Sequence, residues 1–281
     1  MNPLDVDRLL DPVLSELKAT SSCEAYVASW ERWYRAGGPV TVRGLTALDV
    51  AKLRSVRDTL LRSEYAPATV KRCFIVAHRV WMSLTETENK ADPFTRVKVV
   101  VGDNTPHWNV LQPGELKVLA DGLKKEPLAR AVVLALGLQG WRQHVLRGLR
   151  WSNVREDGDG YVVEYVTKRG KRAVKRLHPE VMKAVEQLGG PVSPNEPFIA
   201  GNKRKPLTSN DVYRLVTRAC KNVLGRHITP HGLRATFITT YISQKKNIAM
   251  AAQLADQSST KTTERYLRWT LTGTKDDEVS L

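Results

Sequence analysis

A chain of 281 residues is long for one compact domain and comfortable for two, each with a core of its own. Its 42% hydrophobic and 26% charged residues exclude wholesale disorder, and its longest apolar stretch, around Ala131 to Leu138, is far too short to span a bilayer. Lysine and arginine outnumber the acids 44 to 29, and a net charge of +15 favours a polyanionic partner, with nucleic acid ahead of an anionic membrane surface.

The first residues, MNPLDVDRLLD, are acidic rather than signal-like, so an intracellular protein is expected. From Leu4 to about Val100 the pattern is helical. Ser21 and Glu24 have capping-box spacing before AYVASWERWY, and Thr46 and Asp49 repeat it before VAKLRSVRDTLL. In PATVKRCFIVAHRVWMSL, Val70, Phe74, Ala77, Trp81 and Leu84 share one core-facing stripe, while Lys71, Arg72, His78 and Arg79 lie opposite. Those cations suit a solvated surface and a phosphate-contacting face equally. Cys23, Cys73 and Cys220 are widely spaced without a CxxC pair, which points to small buried residues and not to disulfides or a thiolate zinc site.

After Asp92-Pro93 the segment KVVVGDNTPHWNV has turn residues and no helical period, placing an interdomain linker at about 96–109. LQPGEL restarts a helix with Pro113 near its first turn, and ELKVLADGLKK and ARAVVLALGLQG both read as helices. YVVEYVTKRGKRAVKRL reads as two strands joined by a tight Arg169-Gly170 turn, and helices return in SNDVYRLVTRACKNVL and GLRATFITTYISQ. The C-terminal TGTKDDEVSL is a polar tail. The resulting expectation is a mainly α protein with one small antiparallel β-sheet, divided into 1–95, a linker at 96–109, 110–272 and a tail at 273–281.

Phosphoryl transfer without a metal needs fixed cations around the phosphate, a proton donor for the leaving oxygen and a nucleophile in line with it. The second half carries such a set in order. Arg142 follows an apolar helix; Lys168 lies in the hairpin; His231 and Arg234, three apart, fall on one side of a helix; Tyr266 stands in STKTTERYLRW. Each has competitors: Arg147 and Arg150 for Arg142, Lys171 for Lys168, and Tyr241 for Tyr266. His78, His107, His144 and His178 have no metal-ligand spacing.

In register these residues resemble the tyrosine recombinase (phage integrase) family. Gly140-Trp141-Arg142 followed by Leu149 and Trp151 is similar to the family's first arginine box, Lys168 to its hairpin lysine, His231-Gly232-Leu233-Arg234 to its HxLR motif, and Thr262-Thr263-Glu264-Arg265-Tyr266 to its TTxxY ending. The N-terminal half resembles the family's helical core-binding domain at Leu45 to Val50, Pro67 to Arg72 and Asp92-Pro93-Phe94. Four separated matches in the correct order carry far more weight than any one of them.

The resemblance implies a two-domain clamp on double-stranded DNA, with Lys71, Arg72, Arg79 and Lys171 contacting the duplex, and a homotetramer acting on two DNA sites through a Holliday junction. It leaves room for accessory DNA-binding or directionality proteins. It implies a cytoplasmic, nucleoid-associated protein with no membrane partner. Arg142 and Arg234 would neutralise the non-bridging oxygens, Lys168 would protonate the departing 5′ oxygen, His231 would handle the tyrosine proton or hold the phosphate, and Tyr266 would form a 3′-phosphotyrosyl link. Because that link conserves the energy of the broken bond, neither cofactor nor metal is expected.

Two positions depart from the pattern. Gln257 stands nine residues before Tyr266, in LADQSS where LGHSS is usual, and its amide can donate a hydrogen bond but cannot carry a proton. Val145 stands where an acidic residue commonly supports the site. Two other readings follow: a DNA-binding or architectural protein of the same fold with weakened or lost activity, and a type IB topoisomerase-like enzyme relaxing DNA by the same chemistry.

Overall fold

The computed structural model describes residues 8–17, 20–86, 91–100, 109–167, 170 and 172–257, with the side chains of 20 and 21 also outside the description. The chain folds into two compact units, Met1–Asn104 and Thr105–Leu281.

The first unit is helical: α1 (Asp11–Ser15), α2 (Thr20–Arg35), α3 (Val42–Thr46), α4 (Val50–Arg62) and α5 (Pro67–Thr85), closed by a 3₁₀ turn at Pro93–Arg96. The stripe expected on α5 is buried at Val70, Phe74, Ala77 and Trp81 and half-buried at Leu84, and Cys73, Val76 and Val80 widen it. A heptad-like stripe of that width is what a helix needs when it packs on two sides. The aromatic core gathers around Phe94, whose ring lies 6.2 Å from Trp33, Phe74 and Trp81, and 4.8 Å from the His78 imidazole stacked on it. Asp92 fixes this closure by accepting from the Phe94 backbone N–H at 2.8 Å and by lying 2.8 Å from His78 Nε2.

Two helix starts differ from the sequence expectation. Asp49 is itself the cap of α4, accepting from the Lys52 N–H at 2.7 Å. Thr46 ends α3 and returns its hydroxyl to the Val42 carbonyl. Asp49 caps as readily as Thr46, and the short helix ahead of it carries no apolar period to mark the break. Thr20–Arg35 begins one residue before Ser21.

The second unit comprises α6 (Glu115–Gly122), α7 (Pro127–Gln139), α8 (Gln143–Gly148), a three-stranded antiparallel sheet, α9 (Pro179–Glu186), α10 (Ser209–Leu224), α11 (Pro230–Lys245) and α12 (Ile248–Leu254). The α7 helix is apolar on nearly every side, with Ala131 to Leu136 all buried, because α6, α9, α10 and α11 surround it. Cys73 and Cys220 are buried in the two cores as the sequence implies, Cys23 is only half-buried, and burial pushes the Cys220 thiol up to about 11.

The sheet has one strand more than expected. β1 (Val154–Asp157) pairs with β2 (Gly160–Val166) through a two-residue Gly158-Asp159 turn in which Gly158 has φ +62°. β3 (Arg172–Arg176) pairs with the other edge of β2. On β3 the pleat turns Ala173 and Lys175 inward and leaves Arg172, Val174 and Arg176 exposed, so an ammonium group occupies an inward position opposite Val163. The hairpin tip, with Lys168 and Lys171, lies outside the described residues.

Candidate active site

The site is built where three elements meet the end of α12. Gly140 closes α7 in the left-handed conformation (φ +61°) and turns the chain so that Trp141 enters the core and Arg142 becomes the N-cap residue of α8. Only glycine fits there. A Cβ would lie 2.8 Å from Phe237 Cε1 and closer still to Cδ1. At α11, Thr229 caps the helix by accepting from the Gly232 N–H at 3.2 Å with Pro230 at its first position, and this fixes His231 and Arg234. Gly232 is required by closeness, since a Cβ would stand 2.5 Å from the Asn109 carbonyl oxygen.

The last carbonyls of α12 and its exit have no helical partner of their own, and cations satisfy three in succession. Lys175 Nζ donates to the Leu254 carbonyl, Arg234 Nη2 to that of Ala255, and Arg142 Nη1 to that of Asp256 at 2.9 Å. Arg234 also donates through Nη1 to the Gly140 carbonyl, so one buried guanidinium, 2% exposed, ties the end of α7 to the end of α12. The Arg142 guanidinium carries five N–H bonds, and the contact with Asp256 uses one of them.

The Asp256 side chain completes the cluster. Its Oδ2 accepts from the Tyr165 hydroxyl at 2.7 Å and lies 3.3 Å from Lys175 Nζ, with both charged side chains under a tenth exposed. Lys175 Nζ also stands 5.5 Å over the Tyr165 ring. Desolvation, partly opposed by Asp256 and reinforced by Arg234 and Arg142, pulls the Lys175 ammonium down to about 8. Burial and the bond to Asp256 push the Tyr165 phenol up. Desolvation and the two arginines bring His231 down to about 4, although the residue sits at the open rim, so its imidazole is neutral near pH 7.

The structure thus brings Arg142, His231, Arg234 and Gln257 to one place, Gln257 following Asp256 with its backbone N–H on the Ala252 carbonyl at 2.8 Å. Tyr266 and Lys168 lie outside the described residues, as does Lys171. Val145 is buried in the apolar core of the second unit. In the first unit, Lys71 and Arg72 are exposed, whereas Arg79 is engaged internally. Its Nη1 donates to the Tyr26 hydroxyl at 3.2 Å, its guanidinium lies 5.7 Å over that ring, and Glu16 is 3.6 Å away. Of the competitors, Arg147 donates to the Leu207 carbonyl and Arg150 is the N-cap residue of the Trp151–Asn153 turn. Lys175 and Asp256 were not singled out in the sequence. Their signal is a lysine in the inward register of a strand and a non-glycine where LGHSS has its glycine.

Among the described residues no group of His, Cys, Asp and Glu could hold a metal ion, and no helix is long and apolar enough to cross a membrane. The arrangement gathers the Arg142 and Arg234 guanidiniums beside the C-terminal end of α12, and it is their positive charge, not the helix end, that suits a phosphate diester.

Residues 109–271 match the model of the phage integrase family. Among solved structures, a lambda integrase tetramer bound to a Holliday junction superposes with a TM-score of 0.77 at 18% identity, over 98% of this chain and 79% of that one. The XerH site-specific recombinase bound to a palindromic difH substrate gives 0.69 at 15%, over 88% and 76%. The Tn1549 transposon integrase in complex with transposon right-end DNA gives 0.72 at 14%, over 95% and 98%. No curated protein matches the chain by sequence.

Proposed function

Because this chain belongs to the phage integrase family, whose model spans more than half of it, we propose that it is a site-specific DNA recombinase that cuts and rejoins strands through Tyr266. The observation that carries this reading is the convergence of Arg142, Arg234 and His231 at the end of α12, from which the chain runs on to Tyr266.

The Tyr266 oxygen attacks the phosphorus of a backbone diester, the bond to the 5′ oxygen breaks, and a 3′-phosphotyrosyl link forms. Arg142 and Arg234 balance the charge that grows on the non-bridging oxygens. A neutral His231 can accept the phenolic proton, and Lys168 supplies one to the departing 5′ oxygen. Gln257 contributes an amide donor where imidazole is usual. A 5′ hydroxyl from another strand reverses the attack, so exchange through a Holliday junction consumes no cofactor and needs no metal.

In this reading residues 1–95 and 110–272 form a clamp on double-stranded DNA, joined by 96–109. Lys71, Arg72, Arg79 and Lys171 face the duplex, and Arg79 must exchange its internal partners for phosphate. The working unit is a homotetramer on two DNA sites, cytoplasmic and nucleoid-associated. The DNA-bound neighbours, one of them a tetramer on a Holliday junction, support this assembly.

The test is incubation with nicked suicide duplexes from the flanking genetic neighbourhood, followed by mapping of any covalent adduct. An adduct at Tyr266 that is lost in Tyr266→Phe is expected. Adducts that survive Tyr266→Phe overturn the assignment. Specific binding with no adduct at all makes the protein a DNA-binding member of the family, and relaxation of supercoils without paired sites makes it a topoisomerase.

A further inference from the structure

We infer that Lys175, Asp256 and Tyr165 form a positioning triad that sets the direction in which the chain leaves α12 toward Gln257 and Tyr266. The inference rests on the reading of Tyr266 as nucleophile.

Two unfavourable placements meet here, and each makes sense only with the other. Lys175 fills an inward position of β3 between Ala173 and Leu177 and opposite Val163, where a hydrophobic side chain is the ordinary occupant. Asp256 holds a left-handed backbone (φ +48°), a conformation that glycine adopts without strain and other residues rarely use. Glycine at 256 with an apolar residue at 175 would relieve both. Instead the carboxylate receives the Tyr165 hydroxyl at 2.7 Å and faces the ammonium at 3.3 Å, and the ammonium also holds the Leu254 carbonyl.

The consequence is geometric. Leu254, Ala255 and Asp256 present successive carbonyls to Lys175, Arg234 and Arg142, so the turn is gripped from β3, α11 and the start of α8 at once. Arg234 and Arg142 belong to the phosphate-binding set. Lys175 and Tyr165 do not reach outward: both are buried, and both spend their polar atoms on the turn. They therefore act on the reaction through the path of the backbone and not by touching the substrate.

The test is a double-substitution cycle, Lys175→Met and Asp256→Gly singly and together, with Tyr165→Phe as the mildest probe. DNA affinity and single-turnover cleavage of a nicked suicide duplex are measured at fixed salt. A displaced nucleophile costs rate, so each single change lowers cleavage about tenfold or more with affinity within about twofold, and Tyr165→Phe lowers it about threefold. Because removing both charges removes the uncompensated partner, the double variant cleaves no more slowly than the worse single. Losses that multiply, or a fall in affinity equal to the fall in rate, overturn the triad. Tryptic cleavage after Lys261 and Arg265 is followed in the parent, the two single variants and the double, since it reads the segment without DNA. Faster cutting in each single variant, restored in the double, supports the triad even where the parent forms no adduct and the recombinase reading fails. Equal cutting in all four overturns it.

Discussion

Replacing Gly140 by alanine perturbs the site from behind, and the structure sets the scale of the effect. An alanine at φ +61° costs about 1 kcal/mol in left-handed strain. Its Cβ must also clear Phe237 Cε1 at 2.8 Å and Cδ1 closer still, below the 3.0 Å that real contacts respect, and overpacking of this kind costs about 1–3 kcal/mol. The sum is about 2–4 kcal/mol, which for a unit of this size lowers the melting temperature by roughly 5–15 °C. Because the Gly140 carbonyl accepts from buried Arg234, the shift is carried into the phosphate site, and cleavage falls further than stability alone explains. Thermal unfolding by circular dichroism, read beside cleavage of a nicked duplex at a temperature where both proteins are folded, measures the two parts. Phe237 is only half-buried, so adding Phe237→Ala to Gly140→Ala returns the steric share and leaves the backbone share. A Gly140→Ala protein that melts with the parent, or one that Phe237→Ala fails to improve, refutes this reasoning.

Arg142→Lys keeps the charge and loses the fork, so cleavage falls about 10²- to 10³-fold while DNA affinity changes little; equal losses in both would assign Arg142 to binding alone. His231 is held near 4 in the fold against 6.5 when unfolded, so the unfolded chain binds more protons between those values and stability falls as pH drops from 6.5 to 4. Denaturant melts across that range should show a shallower slope in His231→Asn, and an unchanged slope would place the proton elsewhere. Replacing Lys71 and Arg72 by alanine should reduce the slope of log affinity against log salt by about one each, whatever the DNA sequence. A salt slope that does not change would remove that helix face from the duplex.

Legibility in the sequence followed the balance of burial. The α5 stripe could be read because one face is apolar and the other charged, and α7 because it is apolar throughout. The β1 strand could not, since VRED is exposed along most of its length and offers no alternation. Arg142, His231 and Arg234 were recoverable from motif register, although the pair spaced for one helix side divides into a rim residue and a core residue. Lys175 was missed for a physical reason: an inward lysine leaves the same trace as a solvated one, and only the pleat and the distant Asp256 reveal its partner. Asp256 is not singled out in the sequence, because its carboxylate gains meaning only from Tyr165 and Lys175, 91 and 81 residues away in sequence.

The double engagement of Arg234 changes how mutational scans of this pocket should be interpreted. Truncating it to alanine would strip two backbone acceptors of their donors, at Gly140 and Ala255, as well as removing a positive charge. A large loss of turnover in such a variant would report a collapsed scaffold and a missing electrostatic partner together, with no means of dividing them. Chemical rescue offers the separation that truncation lacks. If guanidinium ion added to the alanine variant restores turnover without restoring the melting temperature, the charge and the tether are distinct contributions of one side chain.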